Sequence, residues 1–257
     1  MFPRIGHVSG AAFFRLFLPD VSANDVERLV YVDVDVAVED DRIFRLFDLD
    51  LGTHTIAAVR DLTMTFEPRA ANKRELALAG ESGKYFYSGM LVIDPDRYRA
   101  ANLANRIFEY AMQNGLHDQA AMNAILRGDW LELSPAMNMT TPIWNSFVRR
   151  AFPPSIVHFM GPIKPWHGGY AEDHPVRADM TRYFEVSPWP NFVEHRKFAD
   201  AWRVAHGAAS GAPTPPRKFV LSEFADVAGM ARLLRRLSFA DVDAGVSEFR
   251  PEELPRV

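Results

Sequence analysis

An α/β fold on a mostly parallel central sheet is what this 257-residue chain predicts. Two observations lead there. The run LVYVDVDVAV, residues 29–38, is a nearly continuous β-branched and aromatic stretch, the pattern of a strand buried on both faces of a sheet. Further apolar runs then alternate with segments of helical period, as layered α/β proteins do.

The elements follow in order. Residues 9–20 read as a short helix, with Ser9 in the N-cap place and an end near Pro19. Residues 28–38 form the first strand, and 41–51 a short amphipathic piece. TIAAVRD (55–61) is a second strand, and YFYSGMLVID (85–94) a third with a bend at Ser88-Gly89. Leu103, Ile107, Phe108 and Ala111 give residues 96–113 an amphipathic helical period, which Asn114-Gly115 ends as a left-handed cap would. Residues 118–127 form another helix, with Asp118 where an N-cap belongs and Gly128 just past the end. SIVHFMG (155–161) is a short strand entering a Gly-Pro turn. Beyond about residue 170 the pattern weakens, leaving a Gly/Ala/Pro linker at 207–217 and an amphipathic helix at 222–237. This divides the chain into a core, 1–170, and a C-terminal extension, 171–257.

Composition narrows the function. A hydrophobic fraction of 48% supports a sizeable core, and a formal net charge of −4 argues against nucleic acid as partner. The chain has no cysteine, which excludes thiol catalysis, disulfides and thiolate metal sites and agrees with a cytoplasmic location. The N-terminal residues lack the apolar core of a signal peptide, and no apolar run is long enough to span a membrane.

Asp33 and Asp35 interrupt the first strand. At a two-residue period both carboxylates project to one side, where they repel unless a cation lies between them. Hard oxygen ligands suit Mg²⁺ or Mn²⁺. If the strand instead ended at Val32, the two acids would simply face water.

Four pieces occur in a fixed order: LVYVDVDVAV, YFYSGMLVID, HDQAAMNAI and IVHFMGPIKPW. Together, over roughly residues 9–170, they resemble glycosyltransferase family 8. This family of retaining nucleotide-sugar transferases includes bacterial lipopolysaccharide galactosyl- and glucosyltransferases and glycogenin. The resemblance implies a nucleotide-diphospho-sugar transferase fold of GT-A type. It also implies transfer of galactose or glucose from a UDP-sugar to a lipopolysaccharide or other surface-glycan acceptor, with Mn²⁺ (or Mg²⁺) as cofactor. By the same resemblance Asp33, Asp35 and His158 hold the metal, and Lys164 contacts the diphosphate. Arg15, Asp33, Asp61, Gly161 and Lys164 belong to the donor site. Asp118 binds sugar hydroxyls, and Gln119 lies on the sugar face opposite the leaving group. Gly161 also reads as a backbone requirement, and Trp166 as a packing anchor.

Two departures from the family pattern matter. Tyr87 stands where the family has Asn, so sugar or acceptor recognition through Tyr87 and Ser88 is expected to differ. Only about 27 residues precede the strand of Asp33, against roughly 60 for two βαβ-type units, so a fold shortened at its N-terminus, with an open edge beside that strand, is expected. In the 222–237 segment Met230, Leu233, Leu234 and Leu237 share a helix with Arg232, Arg235 and Arg236, which suits peripheral attachment to an anionic inner membrane or packing on the core. Two further functions fit the same residues: a non-catalytic glycan- or metal-binding module, and a nucleotide-sugar hydrolase. Sugar identity and oligomeric state are not encoded in these motifs.

Overall fold

The computed structural model describes residues 10–66, 70–80, 83–140, 149, 151–161, 164–168, 175–188, 190 and 194–197. Ser9, the 207–217 linker and the 222–237 helix lie outside them.

A 3-10 turn, Gly10–Phe13, leads into α1 (Phe14–Val21), followed by β1 (Leu29–Val32), β2 (Val36–Val38) and α2 (Arg42–Arg45). Next come β3 (Ile56–Arg60), α3 (Leu62–Phe66), α4 (Ala70–Leu78), β4 (Phe86–Ile93), α5 (Pro95–Ala100), α6 (Leu103–Asn114) and α7 (Asp118–Leu126). After these lie β5 (Leu131–Leu133), a 3-10 turn Pro135–Asn138, β6 (Met139–Thr140), β7 (Ile156–His158), β8 (His167–Gly168), α8 (Pro175–Glu185) and β9 (Glu194–Lys197).

The central sheet has the order β1-β4-β3-β5. β4 runs antiparallel to both β1 and β3, and only β3 and β5 pair in parallel. The expectation of a mostly parallel sheet is corrected here: a continuous apolar run records that both faces are covered, whereas direction is set by the connections. Coverage is real on both sides. Ile56, Ala58, Leu91 and Ile93 pack with Phe13, Leu16, Ile107 and Ala120, whereas Ala57, Val59, Met90 and Val92 pack with Leu46, Leu51, Leu133 and Ile156. Each large apolar side chain so buried contributes on the order of 1.5–3 kcal/mol.

The first strand is not continuous. The chain leaves the central sheet after Val32, turns at Val34-Asp35, and enters a second sheet of order β2-β7-β6. Two buried carboxylates cost more than the lost ladder bonds, so the chain breaks where the charges sit. β1 ends the central sheet, with no strand on its outer edge among the described residues, and its four residues are half-buried rather than buried.

Other expectations shift locally. α1 continues two residues past Pro19, whose carbonyl accepts from Arg99 Nη1 at 2.7 Å. The predicted 96–113 helix is two helices, broken by Asn102 in the left-handed region (φ 49°). Gly115 (φ 62°) closes α6 as expected. The N-cap of α7 is His117, not Asp118, and its Nδ1 accepts from Ala120 N at 3.4 Å. Asp118, at the first helical position, is therefore released for other partners.

Candidate active site

The break in the first strand creates the site. Asp33 N donates to Gly89 O (2.8 Å), and Phe159 N donates to Asp35 O (2.9 Å), so one corner of chain is tied to both sheets. Asp33, Asp35 and His158 each offer a ligand atom, all within 4.8 Å of one another. The two acids therefore converge from a turn rather than from one strand face. Val34 between them is fully exposed.

The chemistry of these donors fits a divalent cation. His158 is 5% exposed. Its Nδ1 lies 3.1 Å from Asn138 Oδ1, an oxygen that can only accept, so this hydrogen bond forms in the tautomer with a proton on Nδ1. Nε2 faces Asp35 Oδ1 at 3.4 Å and Asp33 Oδ2 at 3.8 Å. A histidine oriented by an amide oxygen, with its other nitrogen turned toward two carboxylates, is a common metal-ligand arrangement. Gly89 makes room for it: a Cβ there would lie 2.3 Å from His158 Cε1 and 2.7 Å from Asp33 Oδ2. Burial raises the Asp35 pKa, but the hydrogen bond to His158 and the charge of Lys164 outweigh it and hold the carboxyl below its usual range. Lys164 Nζ pairs with Asp35 Oδ2 and donates to Phe159 O at 2.7 Å.

A second group adjoins the first through Arg15, whose side chain is 10% exposed. Its guanidinium reaches Asp33 Oδ1 (3.1 Å), Asp118 Oδ2 (3.1 Å) and Ser88 O (2.7 Å). Ser88 N donates to Gln119 Oε1 at 3.0 Å, and Ser88 Oγ donates to Asp118 Oδ2 at 3.3 Å. A register shift between β3 and β4, from Ala58↔Leu91 to Arg60↔Phe86, lets Ser88 and Gly89 depart from the regular ladder at this point. The expected bend at Ser88-Gly89 is this irregularity.

Asp61 and Tyr87 meet at Thr63. Asp61 Oδ1 accepts from Thr63 Oγ1 (2.6 Å) and Met64 N (2.9 Å), and Tyr87 OH lies 3.1 Å from Thr63 Oγ1. Asp61 thus serves as a cap at the start of α3. Burial pushes its carboxyl up to about 6, against the lowering effect of those hydrogen bonds. Gly161 is exposed at φ 91°, a turn conformation that suits glycine. Trp166 packs edge-on against Phe159 with ring centroids 5.8 Å apart. Beyond Asp35 opens a cavity of about 510 Å³ lined by Val34, Val36, Phe159, Trp166, Tyr183 and Phe184.

Three participants escaped the sequence reading. Asn138 precedes His158 by 20 residues in a stretch without recognisable pattern. Tyr31, whose hydroxyl donates to Asp33 Oδ1 at 2.5 Å, looks like any strand aromatic. The steric role of Gly89 needs three-dimensional proximity to be seen. Among the described residues no helix is long and apolar enough to cross a membrane.

The layered mixed sheet, with the acid–acid–histidine group at its edge, has the fold of the GT-A type. The solved galactosyltransferase LgtC, in complex with donor and acceptor sugar analogues, superimposes with a TM-score of 0.54 at 24% identity, covering 65% of this chain and 64% of LgtC. The chain belongs to glycosyl transferase family 8, whose family model matches residues 2–169. General stress protein A of Bacillus subtilis (strain 168) is 31% identical over 202 residues, which is 71% of this chain and 68% of that protein. The lipopolysaccharide 1,2-glucosyltransferase of Escherichia coli (strain K12) is 28% identical over 224 residues, 79% of this chain and 64% of that enzyme. The chain thus spans about two-thirds of the length of these relatives.

Proposed function

We propose that the chain moves a hexose, galactose or glucose, from a UDP-sugar to a lipopolysaccharide or other surface-glycan acceptor, with retention of anomeric configuration and dependence on Mn²⁺. The observation that carries this reading is the convergence of Asp33, Asp35 and His158 on a space that Gly89 leaves open. Family membership and the lipopolysaccharide transferases among the relatives support the substrate class. The setting that goes with it is the cytoplasm, at the surface of the inner membrane.

Asp33, Asp35 and His158 would hold the metal, which when bound supplies positive charge to a diphosphate leaving group. Lys164 is 18% exposed and already neutralises Asp35, so it is placed to add a second cation beside the diphosphate. Asp118 and Gln119, at the start of α7, are held against Ser88 and Arg15, the positions from which sugar hydroxyls would be bound. Gln119 Oε1 accepts from a backbone amide, which leaves it poorly suited to attack an anomeric carbon. The acceptor hydroxyl therefore attacks from the leaving-group side: the bond from C1 to the acceptor oxygen forms as the bond from C1 to the diphosphate oxygen breaks. The departing oxygen takes the hydroxyl proton.

Incubation with UDP-galactose and UDP-glucose, with Mn²⁺ and a truncated lipopolysaccharide acceptor, tests this reading. The expected result is acceptor-dependent release of UDP and an α-linked product by NMR. Release of free sugar at the same rate without acceptor would identify a hydrolase instead. A sugar covalently attached to the protein would refute front-face attack.

A further inference from the structure

The two acids of the metal group are not free to bind a cation in any way they choose. Asp33 Oδ1 is occupied twice: Tyr31 OH donates to it at 2.5 Å, and Arg15 Nη2 lies 3.1 Å away. Its other oxygen, Oδ2, is the one that faces His158 Nε2 at 3.8 Å and stands against the backbone of Gly89. Asp35 shows the same division, with Oδ2 on Lys164 and Oδ1 facing His158 at 3.4 Å. Each carboxylate therefore presents one oxygen inward and has the other committed to a donor.

Tyr31 sets this arrangement at Asp33. Its ring lies under the Arg15 guanidinium, 4.9 Å from the centroid, while its hydroxyl points at the same oxygen that Arg15 reaches. Ring and hydroxyl together orient both Asp33 and the arginine that continues to Asp118.

We propose that Tyr31 is a positioning residue that holds Asp33 as a one-oxygen ligand, and that the site thereby selects small octahedral cations, Mn²⁺ or Mg²⁺, over Ca²⁺. The proposal rests on the metal-site reading given above. Its physical basis is coordination chemistry. Ca²⁺ takes six to eight oxygens and draws on two-oxygen carboxylates, whereas Mg²⁺-like ions prefer six ligands at shorter, nearly ideal geometry. Two carboxylates held to one oxygen each, with one imidazole, leave a Ca²⁺ ion short of ligands and suit Mn²⁺.

The test is calorimetric titration of Mn²⁺ and of Ca²⁺ into the metal-free protein, with no nucleotide present, for wild type and Tyr31→Phe. The Phe variant keeps the ring beneath Arg15 and removes only the hydroxyl. Chelator-treated melting curves control for folding. The expected result is about 10–100-fold weaker Mn²⁺ binding, with Ca²⁺ binding unchanged or stronger, so that the Mn²⁺/Ca²⁺ preference narrows. In an Asp33→Asn background the Tyr31→Phe change should have no further effect on Mn²⁺. Equal loss for both ions would mean that Tyr31 is merely structural and would overturn the proposal. No change for either ion would also overturn it, leaving the metal-site reading intact. Failure of the wild type to bind Mn²⁺ would overturn both.

Discussion

Gly89→Ala probes the geometry of the metal group with the smallest available perturbation. The glycine lies in β4, buried along its whole length, at a φ that any residue tolerates, so the effect is steric rather than conformational. The added Cβ would sit 2.3 Å from His158 Cε1, where ordinary contacts begin near 3.4 Å, so the ring must yield by about 1 Å. Asp33 Oδ2, at 2.7 Å, must yield by about 0.7 Å. The strand cannot retreat, because Gly89 O accepts the Asp33 amide at 2.8 Å and retreat would break that bond. Metal–ligand distances tolerate only about 0.2 Å. Two ligands displaced by several times that amount should weaken Mn²⁺ binding at least about 100-fold, the upper end of the effect of disturbing one supporting contact. Overpacking of this kind costs about 1–3 kcal/mol, which lowers the melting temperature of the metal-free protein by roughly 3–10 °C. Adding Mn²⁺ should widen the gap, since only the wild type gains stability from binding. Calorimetric titration alongside melting curves with and without Mn²⁺ reads all three effects. A variant that melts and binds Mn²⁺ like the wild type would refute the placement of Gly89 against His158 and Asp33.

Two other perturbations have definite signs. Asn138→Ala removes the oxygen that orients His158. Mn²⁺ affinity is expected to fall about 10–100-fold, and an unchanged titration would show that the ring is oriented by something else. Asp61 has a folded pKa of about 6, raised from an ordinary 3.8. Its contribution to stability is present below about pH 4 and is lost as pH rises through 6, leaving a cost on the order of 2–3 kcal/mol at neutral pH. Asp61→Asn keeps the cap for Thr63 and Met64 and should therefore melt higher than wild type at pH 7.5, with the advantage vanishing near pH 4. An equal advantage at both pH values would contradict this assignment.

How far the sequence reveals this molecule varies with the physics of each part. Asp33 and Asp35 could be read off the chain, since two acids inside an apolar strand repel unless a cation lies between them, whereas His158 was legible only through the resemblance of IVHFMGPIKPW to the family pattern. β3, β4 and the Gly115 helix end were equally readable, because apolar runs and left-handed caps are local signals. Strand direction was not: β1 and β4 pair antiparallel, yet their composition is that of doubly covered strands. The break after Val32 stood only as the alternative reading, because the apolar pattern resumes at Val36, in a different sheet. The α5/α6 break escaped because apolar spacing continues across Asn102, whose positive φ leaves no compositional trace. α4 carries no apolar stripe and gave no periodic signal. Asp118 looked like a helix cap, and only the chain path shows that His117 takes that role and leaves the carboxylate to Arg15.

The central claim is that Asp33, Asp35 and His158 hold a metal that binds the diphosphate of a UDP-sugar. Calorimetric titration of UDP into the protein, with and without Mn²⁺, beside an Asp35→Asn variant, tests it most directly. The account predicts UDP binding that requires both Mn²⁺ and Asp35. UDP binding indifferent to the metal and to Asp35, or no binding by a folded wild-type protein supplied with Mn²⁺, would contradict it.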